Sequence, residues 1–258
     1  MENTSRVVLS GNLVTGNDRG AHSPNPTGEC TPQGQVPGDC GEGVHLMGVT
    51  RSLVADNTVS GNEGGVLLTD ETGPTAHNTI TCNKLLRNLE DCEITVAGHS
   101  DKAFVGGKLA PKAAGIYANT ITHNVANGHG TKGGGAGILL ADGGPGAAVY
   151  DNGVRDNVAN GNGEAGILLH THTPNVYLNG NKILNNRLSN DGALGDAEFG
   201  EAGTVGILIG NASVTPRGIV VRGNTISHVH FGIYSKNLPP LRARANTFHG
   251  VAVRIKQT

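Results

Sequence analysis

One spacing of polar and apolar positions, Asn-x-apolar-x-x-Asn, returns along the whole chain, and its clearest copy runs from Asn181 through Ile183 to Asn186. The first Asn of the copies stands at Asn12, Asn57, Asn78, Asn119, Asn152, Asn181, Asn224 and Asn246. A glycine-led apolar segment follows each copy, as in Gly166-Ile167-Leu168-Leu169. The closest copies begin 21 and 22 residues apart, a spacing typical of one solenoid coil.

The short apolar segments predict β-strands. Neither a sustained helical period nor the frame of a leucine-rich repeat is present. If coils stack at about 4.8 Å, the first Asn of each copy lies above the previous one, which places Asn57, Asn78 and Asn119 in one file with their amides bonded along the stack. One coil cannot bury its apolar side, but a stack can. The pattern therefore predicts an all-β solenoid of about eight coils, roughly 40 Å long.

This repeat resembles the right-handed parallel β-helix proteins of the pectate-lyase type, and the resemblance covers residues 5–256. It implies a parallel β-helix but leaves the function open, because the architecture carries lyases, hydrolases, epimerases, tailspikes, adhesins and metal-delivery proteins. We predict a single domain over residues 1–258. Since a β-helix normally covers its first open edge, one interpretation is a fragment that lacks its N-terminal cap.

Composition removes several classes of protein. The 41 glycines and 3% aromatic residues fit tight turns around a narrow aliphatic interior. A net charge of −2 without a basic run argues against nucleic acid as a partner. No apolar stretch approaches the roughly 18 residues of a membrane-spanning helix, and the first residues lack the features of a signal peptide.

The four cysteines form two sequence pairs, Cys30 with Cys40 and Cys82 with Cys92, each ten residues apart. Two local disulfides are the favoured interpretation and reduced thiols the alternative, whereas a zinc site would need closer spacings. Disulfides indicate an extracellular or periplasmic location.

The outward face of the glycine-led strands is unusually apolar. Alternation along these strands directs a first outward column through His45, Leu67, Thr95, Leu139, Leu168, Leu208, Tyr234 and Ala252. A continuous apolar strip of this kind is normally covered by loops, by another subunit or by a ligand. A homo-oligomer that buries the strip is therefore one alternative.

Insertions between the second Asn and the next glycine-led strand are expected to rise from one edge, at residues 18–42, 84–92, 125–136, 158–165 and 187–205. Long loops on a rigid scaffold commonly carry binding sites, so we predict a groove between this loop wall and the outward strand face. The alternative is that the loops only cover that face.

In enzymes of the pectate-lyase type the substrate lies across such a face, and the resemblance implies a polysaccharide or oligosaccharide partner near His170. A lyase or epimerase needs a base and a cation, for which His170 with Lys132 or Arg187 would serve. A hydrolase needs two carboxylates, for which Glu164 with Asp196 or Glu198 is the candidate set. The predicted catalytic residues are His170, Glu164, Lys132 and Arg187, and the predicted substrate-binding residues are His129, His172, Asp196, Glu198 and Glu201. The paired-aspartate motifs of β-helix hydrolases and epimerases are absent.

Two His-x-His pairs, His170 with His172 and His228 with His230, are the candidate metal ligands, but each lacks an evident third ligand. The sequence therefore predicts no bound metal and no cofactor, with calcium left as an alternative. The leading hypothesis is an extracellular carbohydrate-active protein, of lyase type if it is an enzyme, with no nucleic-acid or membrane partner. The alternatives are a tailspike-like module that oligomerises through the apolar column and, more weakly, a metal-delivery protein.

Overall fold

The computed structural model describes residues 1–17, 40–89, 91–128, 135–171, 173–192, 203–210, 215–236, 238 and 241–258. Within those ranges the secondary structure consists of β-strands and contains no α-helix. The strands are β1 (Val8–Ser10), β2 (Leu13–Thr15), β3 (Val44–Met47), β4 (Leu53–Ala55), β5 (Thr58–Ser60), β6 (Val66–Thr69), β7 (Thr75–Ala76), β8 (Thr79–Thr81), β9 (Lys84–Leu86), β10 (Ile94–Gly98), β11 (Phe104–Val105), β12 (Lys108–Leu109), β13 (Ile116–Tyr117), β14 (Thr120–Thr122), β15 (Val125–Asn127), β16 (Ile138–Asp142), β17 (Val149–Tyr150), β18 (Gly153–Arg155), β19 (Val158–Asn160), β20 (Ile167–Leu169), β21 (Lys182–Leu184), β22 (Arg187–Ser189), β23 (Val205–Gly210), β24 (Val220–Arg222), β25 (Thr225–Ser227), β26 (Phe231–Lys236), β27 (Arg242–Arg244), β28 (Thr247–His249) and β29 (Val253–Gln257).

These strands build a parallel β-helix of eight coils, as predicted. Sheet 1 has the order β1-β4-β8-β14-β18-β21-β24-β27, sheet 2 the order β2-β5-β9-β15-β19-β22-β25-β28, and sheet 3 the order β3-β6-β10-β16-β20-β23-β26-β29. Each coil contributes one strand to each sheet, and coil 1 contains β1, β2 and β3. A small sheet 4 (β7, β13, β17) precedes sheet 1, and β11 and β12 form an antiparallel hairpin.

The middle residue of each three-residue strand in sheets 1 and 2 points into the solenoid. Ile80 of coil 3 pairs with Ile121 of coil 4, which pairs with Val154 of coil 5, and all three are fully buried. Each such side chain stabilises the fold by about 2 kcal/mol through the apolar surface that it removes from water. Because a single coil is only one strand thick, this side-chain burial occurs only when coils stack.

Asparagine ladders run along the corners of the solenoid, but there are three of them where the sequence predicted one. The ladder between sheets 1 and 2 contains Asn12, Asn57, Asn83, Asn124, Asn157, Asn186, Asn224 and Asn246; the ladder before sheet 1 contains Asn78, Asn119, Asn152 and Asn181; the ladder after sheet 2 contains Asn17, Asn62 and Asn88, then Asn162 and Asp191. In each rung the backbone N–H and the side-chain Nδ2 of one residue donate to the same Oδ1 in the next coil, as between Asn57 and Asn83 at 3.0 and 2.9 Å.

The prediction that Asn57, Asn78 and Asn119 lie in one file is therefore wrong. Asn78 does stack on Asn119, but Asn57 stacks on Asn83, which is 26 residues away. The two Asn residues of the sequence motif mark neighbouring corners of the same coil. Because successive corners have similar sequences, the predicted alignment of the copies was shifted by one corner of the coil.

The same slip concealed sheet 2. The segments predicted as insertions at 84–92, 125–136, 158–165 and 187–205 each begin with a strand of sheet 2. The last coil of sheet 3 was also misaligned, because Tyr234 pairs with Lys256 and not with Ala252. The Lys256 Nζ atom lies 4.5 Å from the ring centroid of Phe231 and 4.4 Å from that of Tyr234, so the final coil covers the apolar column with an aliphatic stem and a cation.

Six of the eight coils place a glycine immediately before the first inward residue of sheet 3, and packing requires it; Glu93 in coil 3 and Arg254 in coil 8 are the exceptions. A Cβ atom added at Gly206 would lie 2.5 Å from Ile226 Cγ2, and one added at Gly232 would lie 2.5 Å from Phe248 Cε1. Sheet 3 thus approaches sheet 2 too closely for any side chain at this position. Coil 3 departs from this rule with Glu93, whose side chain turns inward to meet Asn88.

Candidate functional site

The outward face of sheet 3, where the sequence placed the groove, is a second hydrophobic core. Leu67, Leu168 and Leu208 of the predicted outward column are at most 1% exposed. Leu168 and Leu208 pack in one cluster with residues of the same chain that include Cys92, Ala136, Ala165, Val205 and Phe231. The column is therefore not available, in this structure, as an apolar surface for a second subunit or for a ligand.

Among the described residues, Glu164, His170 and Arg187 of the predicted catalytic set lie apart. Glu164 precedes β20 and its backbone N–H donates to Gly135, whereas His170 follows β20 at the opposite end of the strand. His170 is only 4% exposed. Arg187 begins β22 on the exposed face of sheet 2, which is a different side of the solenoid. The other predicted site residues, Lys132, His129, His172, Asp196, Glu198 and Glu201, lie outside the described residues.

The predicted disulfide between Cys82 and Cys92 is wrong, because both thiols are free. Cys82 is exposed at the corner between sheets 1 and 2, Cys92 is buried before sheet 3, and the whole of β9 separates them. Burial, with the nearby Asp91 and Glu164 carboxylates, raises the pKa of the Cys92 thiol well above its ordinary value. Cys40 is disulfide-bonded, and its predicted partner Cys30 lies outside the described residues.

Across the described ranges, no group of three His, Cys, Asp or Glu side chains could hold a metal ion. The nearest approach is at the end of sheet 3, where His99 Nδ1 lies 2.6 Å from Glu71 Oε1 and His45 Nε2 lies 2.8 Å from Thr69 Oγ1. Burial acts to raise the pKa of Glu71, but the hydrogen bonds with His99 and Thr69 outweigh it and lower that pKa to about 2.

These contacts are an ion pair formed by His99 Nδ1 and a hydrogen bond formed by His45 Nε2, both within the protein. A copper, zinc or calcium centre would need at least one more ligand from this part of the chain. The His228 and His230 side chains are both exposed and the residue between them, Val229, is buried. The described residues therefore do not fit a metal centre at either place.

An open groove does exist, but on sheet 2. It has a volume of about 730 Å³ and is lined by Thr15, Ser60, Gly61, Leu86, Arg87, Asn127, Gly128, Asn160 and Gly161. These residues come from coils 1 to 5, one or two from each, so the groove runs parallel to the solenoid axis for about 19 Å at the strand spacing. We call it the sheet 2 groove.

The floor of the sheet 2 groove is formed by the last residue of each strand, and one wall by the corner that follows. Asn127 pairs with Asn160 in the next coil, and both amides face outward because the buried Ala126 and Ala159 precede them. The corner residues Gly61, Gly128 and Gly161 have φ between 62° and 72°, where glycine is favoured, and their lack of side chains keeps the groove open. Arg87 occupies the same corner in coil 3 with φ 55°.

The two amides of this floor differ in their hydrogen bonds. The Asn160 Oδ1 atom accepts hydrogen bonds from Ser189 Oγ and Asn190 Nδ2, both at 2.8 Å, so its orientation is fixed. The Asn127 Oδ1 atom is buried and has no hydrogen-bond partner among the described residues. Buried polar atoms are almost always hydrogen-bonded, so the Asn127 amide has unused hydrogen-bonding capacity at the groove floor. Sequence analysis missed the groove because it assigned β9, β15 and β19 to loops.

Comparison with known proteins places the chain in one family. The model of the family described as periplasmic copper-binding protein (NosD) matches residues 1–153. Neither the comparison with curated proteins nor that with solved structures yields a match. The matched residues make up more than half of the chain and contain its first four coils, and the periplasmic description confirms the predicted extracellular or periplasmic location. On this evidence the chain belongs to the NosD family.

Proposed function

We propose that this protein binds an extended carbohydrate chain in the sheet 2 groove and does not transform it. The observation that carries the proposal is the groove floor, in which four of five consecutive coils present a hydroxyl or amide side chain and the middle coil presents Leu86, at a spacing of about 4.8 Å. A linear polymer of similar units can repeat the same contacts from coil to coil. Sugar hydroxyls both donate and accept hydrogen bonds, as do these side chains.

The Asn127 and Arg87 side chains give the groove its polarity. Asn127 Oδ1 offers a buried acceptor, and Arg87 offers donors from an exposed corner at the middle of the five coils. A Cβ atom at Gly128 would lie 3.8 Å from Arg87 Cγ, so the aliphatic part of Arg87 crosses the neighbouring glycine corner. A sugar ring lying along the floor would contact the arginine and the amide together.

Binding without chemistry is favoured because the groove offers no acid or base. Arg87 is the only titratable side chain among its nine lining residues. Abstraction of a proton next to a carboxylate needs a base near neutral pKa, and glycoside hydrolysis needs two carboxyl groups. The predicted candidates Glu164 and His170 lie on sheet 3, away from this floor.

The test is affinity electrophoresis and calorimetry of the full chain with a panel of soluble neutral and acidic polysaccharides. Replacement of Asn127 with Leu and of Arg87 with Ala is expected to weaken binding at least tenfold, whereas Thr79→Ala, on the outward face of sheet 1, leaves it unchanged. Equal affinity of all variants, or new reducing ends or ultraviolet absorbance produced by the wild type, would contradict a binding-only role for this groove.

Copper handling is the second candidate function, and family membership is the observation that favours it. The described residues do not fit a copper centre, so no step is assigned to the metal. Calorimetric titration of the full chain with Cu²⁺, and with Cu⁺ under anaerobic conditions, tests it directly. Stoichiometric binding that His99→Ala abolishes and His228→Ala preserves would place copper at the end of sheet 3, and a flat heat trace with both ions would exclude the candidate.

A further inference from the structure

The outward face of sheet 1 carries a concentration of positive charge in the second half of the solenoid. We call this set the basic face, and its members are Arg155, Lys182, Arg222, Arg242 and Arg244. All five side chains are exposed. The same two outward columns in coils 1 to 4 contain no charged residue, only Val8, Ser10, Leu53, Ala55, Thr79, Thr81, Thr120 and Thr122.

Strand register places these cations in an ordered array. Arg222 pairs directly with Arg244 in the next coil, so their Cα atoms are about 4.8 Å apart. Arg155 precedes Arg222 by two coils in the same column, through Leu184. Arg242 and Arg244 lie on the same side of β27, about 6.7 Å apart. The array therefore follows the solenoid axis through four coils, for about 14 Å.

Little negative charge offsets this array. Arg155 Nη1 lies 3.2 Å from Asp156 Oδ2, and this is the ion pair that the described part of the basic face contains. The chain as a whole has a net charge of −2, so the positive face is a local feature of the fold and not of the composition. Like charges this close repel one another, and a ligand of opposite charge with a similar repeat relieves that repulsion.

We propose that the basic face docks a linear acidic polysaccharide, one with a carboxylate on successive sugars, laid along the solenoid axis. Its regular charge would meet a face on which each of coils 5 to 8 places at least one cation. Arginine binds carboxylates through two parallel hydrogen bonds, and four of the five cations are arginine. The inference does not depend on the sheet 2 groove, which is on another face.

Two other polyanions fit the charge less well. Nucleic-acid strands are usually held by aromatic side chains that stack on bases, and membrane surfaces by inserted apolar or aromatic groups. The two outward columns of β18, β21, β24 and β27 contain no aromatic residue, and their uncharged members are Gly153, Leu184 and Val220. The periplasmic description of the family also favours an envelope or extracellular polymer.

The test uses the full chain, sodium polygalacturonate as the probe, and calorimetry at low and at raised salt. The double variant Arg222→Glu and Arg244→Glu is expected to lose at least tenfold in affinity, and wild-type binding is expected to weaken as salt rises. The matched control is Lys108→Glu and Lys112→Glu, which reverses two exposed charges on and beside the hairpin and should bind like the wild type. Thermal unfolding of each variant confirms that it is folded.

Three results would overturn the inference: equal loss in both double variants, no binding of polygalacturonate by the wild type, or tighter binding of anionic vesicles or single-stranded DNA than of polygalacturonate. The sheet 2 groove is tested separately, since Asn127→Leu should leave binding to the basic face intact. If Asn127→Leu lowered the affinity for polygalacturonate and the Arg222→Glu and Arg244→Glu double variant did not, the result would support binding in the sheet 2 groove and contradict binding on the basic face.

Discussion

Asp191 ends one asparagine ladder, and replacing it with Asn should make the protein more stable in a strongly pH-dependent way. Its Oδ1 atom accepts hydrogen bonds from the backbone N–H of Asn162 at 3.0 Å and from Asn162 Nδ2 at 2.8 Å, as an Asn would at this place. The side chain is fully buried. Burial raises the pKa of this carboxyl from 3.8 to about 7, against the opposing effect of the Asn162 hydrogen bonds.

The raised pKa sets the sign and size of the effect. Well below pH 3.8 the Asp191 carboxyl is protonated in both states and costs nothing. As pH rises from 4 to 7 the unfolded chain releases the proton while the folded chain retains it, so the free energy of unfolding falls. A shift of about three units at 1.36 kcal/mol per unit gives a loss of roughly 4 kcal/mol by pH 8.

Asp191→Asn removes that loss because an amide does not titrate. Its Nδ2 would reach the carbonyl of Ala159, since the preceding ladder residue Asn162 donates to Ala126 and Ala126 pairs with Ala159. Urea denaturation at pH 4, 5.5, 7 and 8 measures the difference in unfolding free energy between variant and wild type. We expect this difference to grow by about 3–4 kcal/mol from pH 4 to pH 8. A difference that stays constant with pH would refute the reasoning, and Asp101→Asn, at an exposed residue, is the control.

Three further predictions test the packing. Asn157→Ala should lower the unfolding free energy by roughly 3–5 kcal/mol in urea denaturation, because two donors of Asn124 lose their acceptor inside the protein; an unchanged midpoint would contradict the role of the ladder. Gly206→Ala should cost roughly 1–3 kcal/mol in the same assay through overpacking against sheet 2, and a neutral result would show that the sheets can separate. In the native protein a maleimide should label exposed Cys82 within minutes and buried Cys92 only after unfolding, as read by peptide mass; equal labelling would disprove the burial of Cys92.

The fold could be predicted from the sequence because each coil repeats the same requirement for buried apolar residues. A buried apolar residue between two corner asparagines, followed by a glycine-led strand, is a local signal that does not depend on alignment between coils. The register of the strands, in contrast, depends on the alignment between coils. Asn57 and Asn62 mark two corners of one coil and Asn78 and Asn83 two corners of the next, so pairing Asn57 with Asn78 satisfied the motif as well as the true pairing with Asn83.

The site could not be read in the same way. Because β9, β15 and β19 were expected to be loops, Asn127 and Asn160 could not be assigned to a face of sheet 2. The predicted site was therefore placed on the apolar column of sheet 3. That column is apolar because the chain covers it, which is a property of long-range packing. The basic face was hidden for a related reason, since Arg155 and Arg244 are far apart in sequence and only stacking of the coils brings them to one column.

Inward and corner positions are so constrained in this solenoid that specificity is expected on the outward columns. An inward residue must be apolar and of limited volume, and a corner residue must either complete a ladder or accept positive φ. Outward positions are free of both constraints, yet their chemistry is grouped. The last outward residue of sheet 2 is a hydroxyl or an amide in coils 1, 2, 4 and 5, and cations lie on sheet 1 over coils 5 to 8. Stability cannot account for a row of like charges, which repel. We therefore propose that both faces serve ligands that run along the axis.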